Sequence, residues 1–132
     1  MSDDARREVL AGLDFFKGCS DRELRDISRL ADERDLPAWS ELCHQGDFEN
    51  EVFVIVDGTA EVIIDGSAAG MTRPGEIVGE LSMLGDGRRR ATLRAVAPMR
   101  VLALDPQEID GVLAADPSSA GRLSQHGDPS AS

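Results

Sequence analysis

The sequence predicts a mainly β domain with flanking helices. The expected architecture is an antiparallel β-barrel or jelly roll (a double-stranded β-helix), with helices before it and one helix after it. Three observations carry this. Between Glu41 and Ala103, short runs rich in β-branched residues recur between glycine-bearing turns, the pattern of small antiparallel barrels. On either side of that stretch the apolar spacing becomes helical. The chain has 132 residues, enough for one core and too few for two ordinary ones.

Residues 2–12 read as a polar helix anchored by Val9 and Leu10, with a break at Gly18. Ser20 stands three residues before Glu23, a capping-box spacing, ahead of the helical run Leu24, Ile27, Leu30. Pro37 closes this region, and the N-terminal helical segment is placed at 1–32. "ELCHQGD" is a strand running into a turn. "EVFVIV-DG-TAEVII-DG" predicts a hairpin joined at Asp57-Gly58 and closed at Asp65-Gly66. "SAAGMT" is a weaker strand, and "TLRAVAP" and "MRVLALD" are two more, broken at Pro98. "PQEIDGVLAADP" is helical, with Pro106 at its first position, Pro117 past its end, and Ile109, Val112 and Leu113 as its apolar stripe. Residues 1–117 form the expected domain, its core at 13–117, and the Gly/Ser/Pro-rich 118–132 a flexible tail.

Charge narrows the partners. Formal net charge is −11, from 25 acids against 14 bases. Direct binding to a nucleic-acid backbone needs a broad basic face, which this composition does not offer. Four arginines (Arg88, Arg89, Arg90, Arg94) nevertheless crowd into seven positions, which suits a small anion site. Residues 1–20 hold no uninterrupted apolar segment, and no run approaches the ~18 apolar residues of a membrane span. Cys19 and Cys43 make neither a disulfide framework nor a metal motif and read as buried free thiols. A reducing cytoplasm without membrane insertion is the expected setting. One Lys against thirteen Arg suggests a GC-rich bacterial genome.

The segment 74–95, "PGEIVGELSMLGDGRRRATLRA", is the most informative. Pro74-Gly75 makes a turn and Ile77-Val78 a short buried strand. Gly79 permits close backbone approach. "ELSML" suits one helical turn whose free amides, around Leu81 and Ser82, face an anion. The arginines follow, and a guanidinium matches a phosphate with two parallel hydrogen bonds. Glu80 beside an anion site makes sense if the ligand also brings a hydroxyl donor, as a ribose does. A sugar-phosphate explains both signs.

Those residues resemble the phosphate-binding cassette of the cyclic nucleotide-binding domain family, of the catabolite activator protein and cyclic-AMP-dependent kinase regulatory subunit type. The family pattern Gly-Glu-(Leu/Ile), a short helix and loop, then Arg-x-Ala-(Thr/Ser)-(Val/Ile), is matched by Gly79-Glu80-Leu81 and Arg89-Arg90-Ala91-Thr92-Leu93. Upstream, Gly46-Asp47 through Val52-Phe53-Val54-Ile55 to Gly58 matches a second family pattern. Three spaced motifs in order make the resemblance specific, and it covers roughly residues 13–117.

The resemblance implies that Glu80 accepts from the ribose 2′-hydroxyl and that Arg89 pairs with the cyclic phosphate. Backbone amides of Ser82 and Arg90 complete the cradle, and Gly79 allows the approach. Val62, Val78, Leu81 and Leu93 are expected on the pocket wall, with Ala91 beside the phosphate. The side chains of Arg88, Arg90 and Arg94 read as solvated, His44 as an ordinary histidine and Trp39 as a packing anchor. Arg90 departs from the small residue or Thr usual in the family. The tail "PSSAGRLSQHGDPSAS" departs too, since members usually continue with a helix that lids the base. Here the lid is either absent or supplied by a partner.

The expected function is a stand-alone cyclic nucleotide sensor, taking cyclic AMP rather than cyclic GMP and acting on a separate, unidentified effector protein. It needs no cofactor. The alternative is a degenerate domain used only for protein contacts. An enzyme is disfavoured: a cupin-type metal site needs several histidines, and only His44 and His126 exist.

Overall fold

The computed structural model describes residues 1–79 and 87–115. The predicted cassette residues Glu80, Leu81 and Ser82 and the predicted tail lie outside the described residues.

Two helices open the chain. Helix α1 (Asp3–Ala11) starts where the Ser2 hydroxyl accepts from the Ala5 amide at 3.1 Å. A 3-10 turn (Asp14–Phe16) then buries Phe16, and α2 (Asp21–Leu30) begins with the complete capping box foreseen at Ser20 and Glu23. Ser20 Oγ accepts from the Glu23 amide at 3.1 Å while Glu23 Oε1 accepts from the Ser20 amide at 2.7 Å. The two reciprocal bonds satisfy amides that a helix start leaves without intrahelical partners.

Among the described residues eight strands follow: β1 (Asp32–Leu36), β2 (Glu41–Cys43), β3 (Val52–Asp57), β4 (Ala60–Ile64), β5 (Ser67–Met71), β6 (Ile77–Val78), β7 (Thr92–Ala95) and β8 (Met99–Leu104). They form two four-stranded sheets, ordered β1-β8-β3-β6 and β2-β7-β4-β5, and the pairings are antiparallel. This is the expected jelly roll. Helix α3 (Pro106–Ala114) closes the described chain, with Asp105 capping the Gln107 amide at 2.9 Å and Pro106 in its first turn.

The central strands of the first sheet, β3 and β8, are buried on both faces, which explains why "VFVIV" and "VLAL" read as continuous apolar runs. Along β3, Val52 and Val54 pack with Leu10, Ile27, Ile109 and Leu113 of the helices, whereas Phe53 and Ile55 point between the sheets. Strand β8 divides the same way: Leu102 and Leu104 face the helices, Val101 and Ala103 the barrel interior. Period-2 alternation in a strand covered on both sides selects between two cores rather than between core and water.

Several expectations are corrected. The hairpin at Asp57-Gly58 does not form: β3 and β4 lie in different sheets, and both edges of each already have partners. A register shift between Ile55 and Asp57 bends β3 away. Gly58 (φ +86°) then turns the corner against Met99, whose Cγ would lie 2.8 Å from any added Cβ. The two-residue hairpin is instead at Asp65-Gly66, joining β4 to β5.

The helical segment expected to 32 ends at Leu30, and 32–36 is a strand that pairs with β8. This sequence, "DERDL", carries four charges and no alternation, because it is a charged edge strand. Its signal is electrostatic: Arg100 Nε donates to Asp35 Oδ1 at 2.8 Å, and Arg34 makes a two-point pair with Glu51 at 3.0 and 2.7 Å. Trp39 is not a packing anchor. It sits at φ +72° in the β1–β2 turn and is 69% exposed. Cys43 is buried as expected, but Cys19 is only half-buried. Strand β6, expected to be buried, is also half-buried.

Among the described residues, no helix is long and apolar enough to cross a membrane.

Candidate ligand-binding site

Two motifs forty residues apart in the chain are laced together by backbone hydrogen bonds. The Arg89 amide donates to Asp47 O at 2.8 Å, the Gly46 amide to Arg89 O at 2.9 Å, and the Glu49 amide to Gly87 O at 3.2 Å. Gly46 makes this possible by turning at φ +90°. The β2–β3 loop is thereby strapped along the segment that enters β7, which brings Glu49 and Glu51 to Arg89.

Arg89 is 4% exposed, an unusual burial for a cation. Its Nε donates to Glu49 Oε2 at 2.9 Å, Nη2 donates to the Glu51 carbonyl, and Nη1 lies 3.5 Å from the Gly79 carbonyl. The guanidinium carbon stands 5.3 Å from the centroid of the Phe53 ring, inside the range of cation–π attraction. Gly79, at φ +92°, closes the other side, and a Cβ there would collide with Arg89 Nη1.

Beside this buried cation opens a cavity of about 270 Å³. The predicted residues Gly79, Arg89, Arg90, Ala91, Val62, Val78 and Leu93 all line it. The structure therefore gathers around one space residues drawn from β4, β6 and the entry to β7. The apolar wall is supplied by Val62, Val78 and Leu93, and one end is cationic. Arg90 is exposed, so its side chain can reach the opening without being buried. Arg88 stacks on Phe48, 4.5 Å from the ring centroid, and Arg94 lies in register with both Glu41 and Glu61. His44 Nδ1 meets Glu41 Oε2 at 2.9 Å on the surface.

Sequence reasoning missed Cys43, Thr72 and Glu76, which also line the cavity, and Glu49, which holds Arg89. Burial pushes the Cys43 thiol above its ordinary 9.0, and its Sγ lies 3.6 Å from the Ala91 carbonyl. Thr72 is locked into the wall, its hydroxyl accepting from the Ala60 amide at 3.0 Å. Thr72 follows a weak strand pattern and carried no signal. Glu49 was one acid among 25, and only its place just after Gly46-Asp47 could have marked it.

Among the described residues no group of His, Cys, Asp or Glu could hold a metal ion. The arrangement can hold an anion against Arg89 while an attached apolar or aromatic body fills the cavity.

The model of the cyclic nucleotide-binding domain matches residues 33–116. The chain is 24% identical over 99 residues to the cGMP-dependent protein kinase egl-4 of Caenorhabditis briggsae, covering 75% of this chain but only 13% of the kinase. Among solved structures, a cyclic nucleotide-binding-like protein from Brucella abortus superposes with a TM-score of 0.75 at 22% identity, over 84% of this chain and 99% of that one. The regulatory domain of Toxoplasma gondii PKA, crystallised with cAMP, gives a TM-score of 0.76 at 15% identity, over 94% of this chain and 49% of that one.

Proposed function

The chain belongs to the cyclic nucleotide-binding domain family, and from that premise we propose that it is a cytoplasmic cyclic nucleotide sensor that takes cyclic AMP and acts on a separate effector protein. The observation that carries this reading is the Arg89 guanidinium, buried beside Gly79 at the cationic end of an otherwise largely apolar cavity. Arg89 pairs with the cyclic phosphate. Glu80 accepts from the ribose 2′-hydroxyl, and the amides of Ser82 and Arg90 complete the cradle around the phosphate. Ala91, Leu81, Val62, Val78 and Leu93 enclose the remainder of the ligand.

Arg90 at the cavity does not choose a base by itself, and relatives at this distance include a kinase named for cGMP. Cyclic AMP is the first ligand to test. No cofactor and no catalysis enter this reading. The effector responds to a surface that changes when the phosphate reorders the cassette and α3 repacks, and the ligand can shift that balance only by its differential affinity for the two states.

A second reading has one observation in its favour: Arg89 already has an anion, Glu49. A barrel whose arginine is permanently occupied would serve only for protein contacts. Calorimetric titration with cyclic AMP and cyclic GMP separates the two, using the wild type, Arg89→Ala and Arg89→Lys. Saturable binding abolished by Ala and weakened by Lys, which cannot make the two-point contact, supports the sensor. Folded wild-type protein that gives no heat with either nucleotide supports the contact module.

A further inference from the structure

Trp39 takes a strained backbone without being buried. Its φ of +72° lies in the left-handed region, which a bulky side chain enters only at a cost. The indole belongs to neither hydrophobic core and the residue is 69% exposed, so folding gains little that would offset the strain. Strain kept at an exposed position points to function rather than to packing. Trp is also among the residue types that carry most of the binding energy at protein contacts.

The turn that carries Trp39 is part of a fixed platform. The Trp39 amide donates to Ala95 O at 2.7 Å, the Ala95 amide to Ser40 O at 2.8 Å and the Val96 amide to Thr59 O at 3.1 Å. Ser40 Oγ donates to the Pro37 carbonyl at 2.7 Å within the same turn. The β1–β2, β3–β4 and β7–β8 connections are thereby tied together at one end of the barrel, and a surface fixed in advance loses little freedom when a partner docks. Among these turns opens a groove of about 490 Å³ whose apolar lining is Leu36, Pro37, Pro98 and Met99. It shares no lining residue with the cavity at Arg89.

Charge selects the occupant. Asp35, Asp57 and Arg100 complete the groove. Arg100 is already engaged, by Asp35 at 2.8 Å and by Glu33 at 3.6 Å. Asp57 is exposed and, among the described residues, makes no ion pair. The turn cluster therefore presents an unanswered carboxylate together with an indole, whose face attracts cations. A second copy of the chain fits poorly. Each copy carries −11, and a two-fold contact would bring the same acids face to face.

We propose that this end of the barrel is a docking surface for a basic segment of another protein. An Arg or Lys of the partner lies over Trp39 and reaches Asp57, while an adjoining apolar side chain enters the groove between Pro37 and Pro98. The surface is separate from the nucleotide cavity, and the inference stands whether or not that cavity takes a ligand.

The chain has one Trp and no Tyr, so its tryptophan emission reports this site alone. The test titrates the full chain with a capped synthetic peptide of alternating Arg and Leu while Trp39 emission is followed. The same peptide with Gln, or with Glu, in place of Arg serves as control. The expected result is a saturable change with the Arg peptide only, weakened by added salt and weakened several-fold in Asp57→Asn. Trp39→Gly has no indole to observe, so its binding is read by calorimetry, where a loss of about tenfold or more is expected. That variant should melt at or above the wild-type temperature, because Gly adopts φ +72° without strain. A clearly lower melting temperature would mean that the indole serves packing, and overturns the proposal. Unchanged binding in either variant, an equal response to all three peptides, or no response to the Arg peptide also overturns it. Trp39 emission that shifts with phosphatidylcholine vesicles but not with the peptide assigns the residue to a membrane surface, and overturns it too.

Discussion

Arg89 Nη1 lies so close over the Cα of Gly79 that no side chain fits between them, and Gly79 holds φ +92° to make that approach. Both properties belong to glycine, for separate reasons: the missing Cβ gives the space, and the left-handed backbone gives the direction. A substitution therefore fails twice. Gly79→Ala is expected to cost ~1–3 kcal/mol of stability through backbone strain and in addition to push Arg89 from its seat, lowering nucleotide affinity. Gly66 is the matched control, with φ +79° and nothing within 4 Å of a built Cβ. Gly66→Ala should show the strain alone and bind like wild type. Equal affinities for both variants would mean that the Gly79–Arg89 contact does not shape the site.

The alternation along the first sheet predicts that stability and binding can be separated by choice of face. Leu102 is fully buried against the helices, so Leu102→Ala should cost ~2–5 kcal/mol and leave nucleotide affinity unchanged wherever the protein is folded. Phe53, on the barrel side, lies under Arg89. Phe53→Leu should cost less stability but weaken binding several-fold, because the arginine loses its aromatic floor. Urea melts and titrations on the two variants check this, and a reversed pattern would mean that the two cores do not have separate roles.

What the sequence made legible follows the same physics. The capping box at Ser20 and Glu23, Pro106 at the start of α3 and the turn at Asp65-Gly66 are local signals, complete within a few residues, and the structure shows each of them. The cassette residues on either side of 80–86 were legible because their motif prescribes both residue type and spacing. Which strands pair was not. Asp57-Gly58 looks like a hairpin turn because its flanks are strands, but the bulge before it and the packing of Gly58 on Met99 depend on partners forty residues away. Strand β1 was invisible for another reason: its side chains are charged, and its partners are Arg100 and Glu51, which no apolar periodicity reveals. Glu49 combines both difficulties, since its meaning arises only when the loop is strapped to Arg89.

The α2 cap offers a test away from the site. Ser20→Ala removes the hydroxyl that receives the Glu23 amide and should cost ~1 kcal/mol, a drop of roughly 4 °C in melting temperature for a domain of this size. Glu23→Ala should cost at least as much, because Glu23 is 3% exposed and returns the bond to the Ser20 amide. The double variant should lose less than the sum, since each half of the box depends on the other. Strict additivity in the melts would show that the two bonds act independently.

Acid should loosen the β1 edge. Arg100 donates to Asp35 at 2.8 Å and holds its carboxyl below the ordinary 3.8, and the same contact raises Arg100. A carboxyl depressed in the folded state stabilises it above the unfolded pKa and loses that contribution as pH falls through the folded value. The pair's contribution should be fully present at pH 7, begin to decline near 3.8, and vanish below the folded pKa. Asp35→Asn should therefore melt slightly lower than wild type at neutral pH and coincide with it at the acid end. The gap should be small and should shrink with added salt, because both side chains are substantially exposed. A gap that persists in strong acid would assign the variant's cost to packing of the β1 edge rather than to charge.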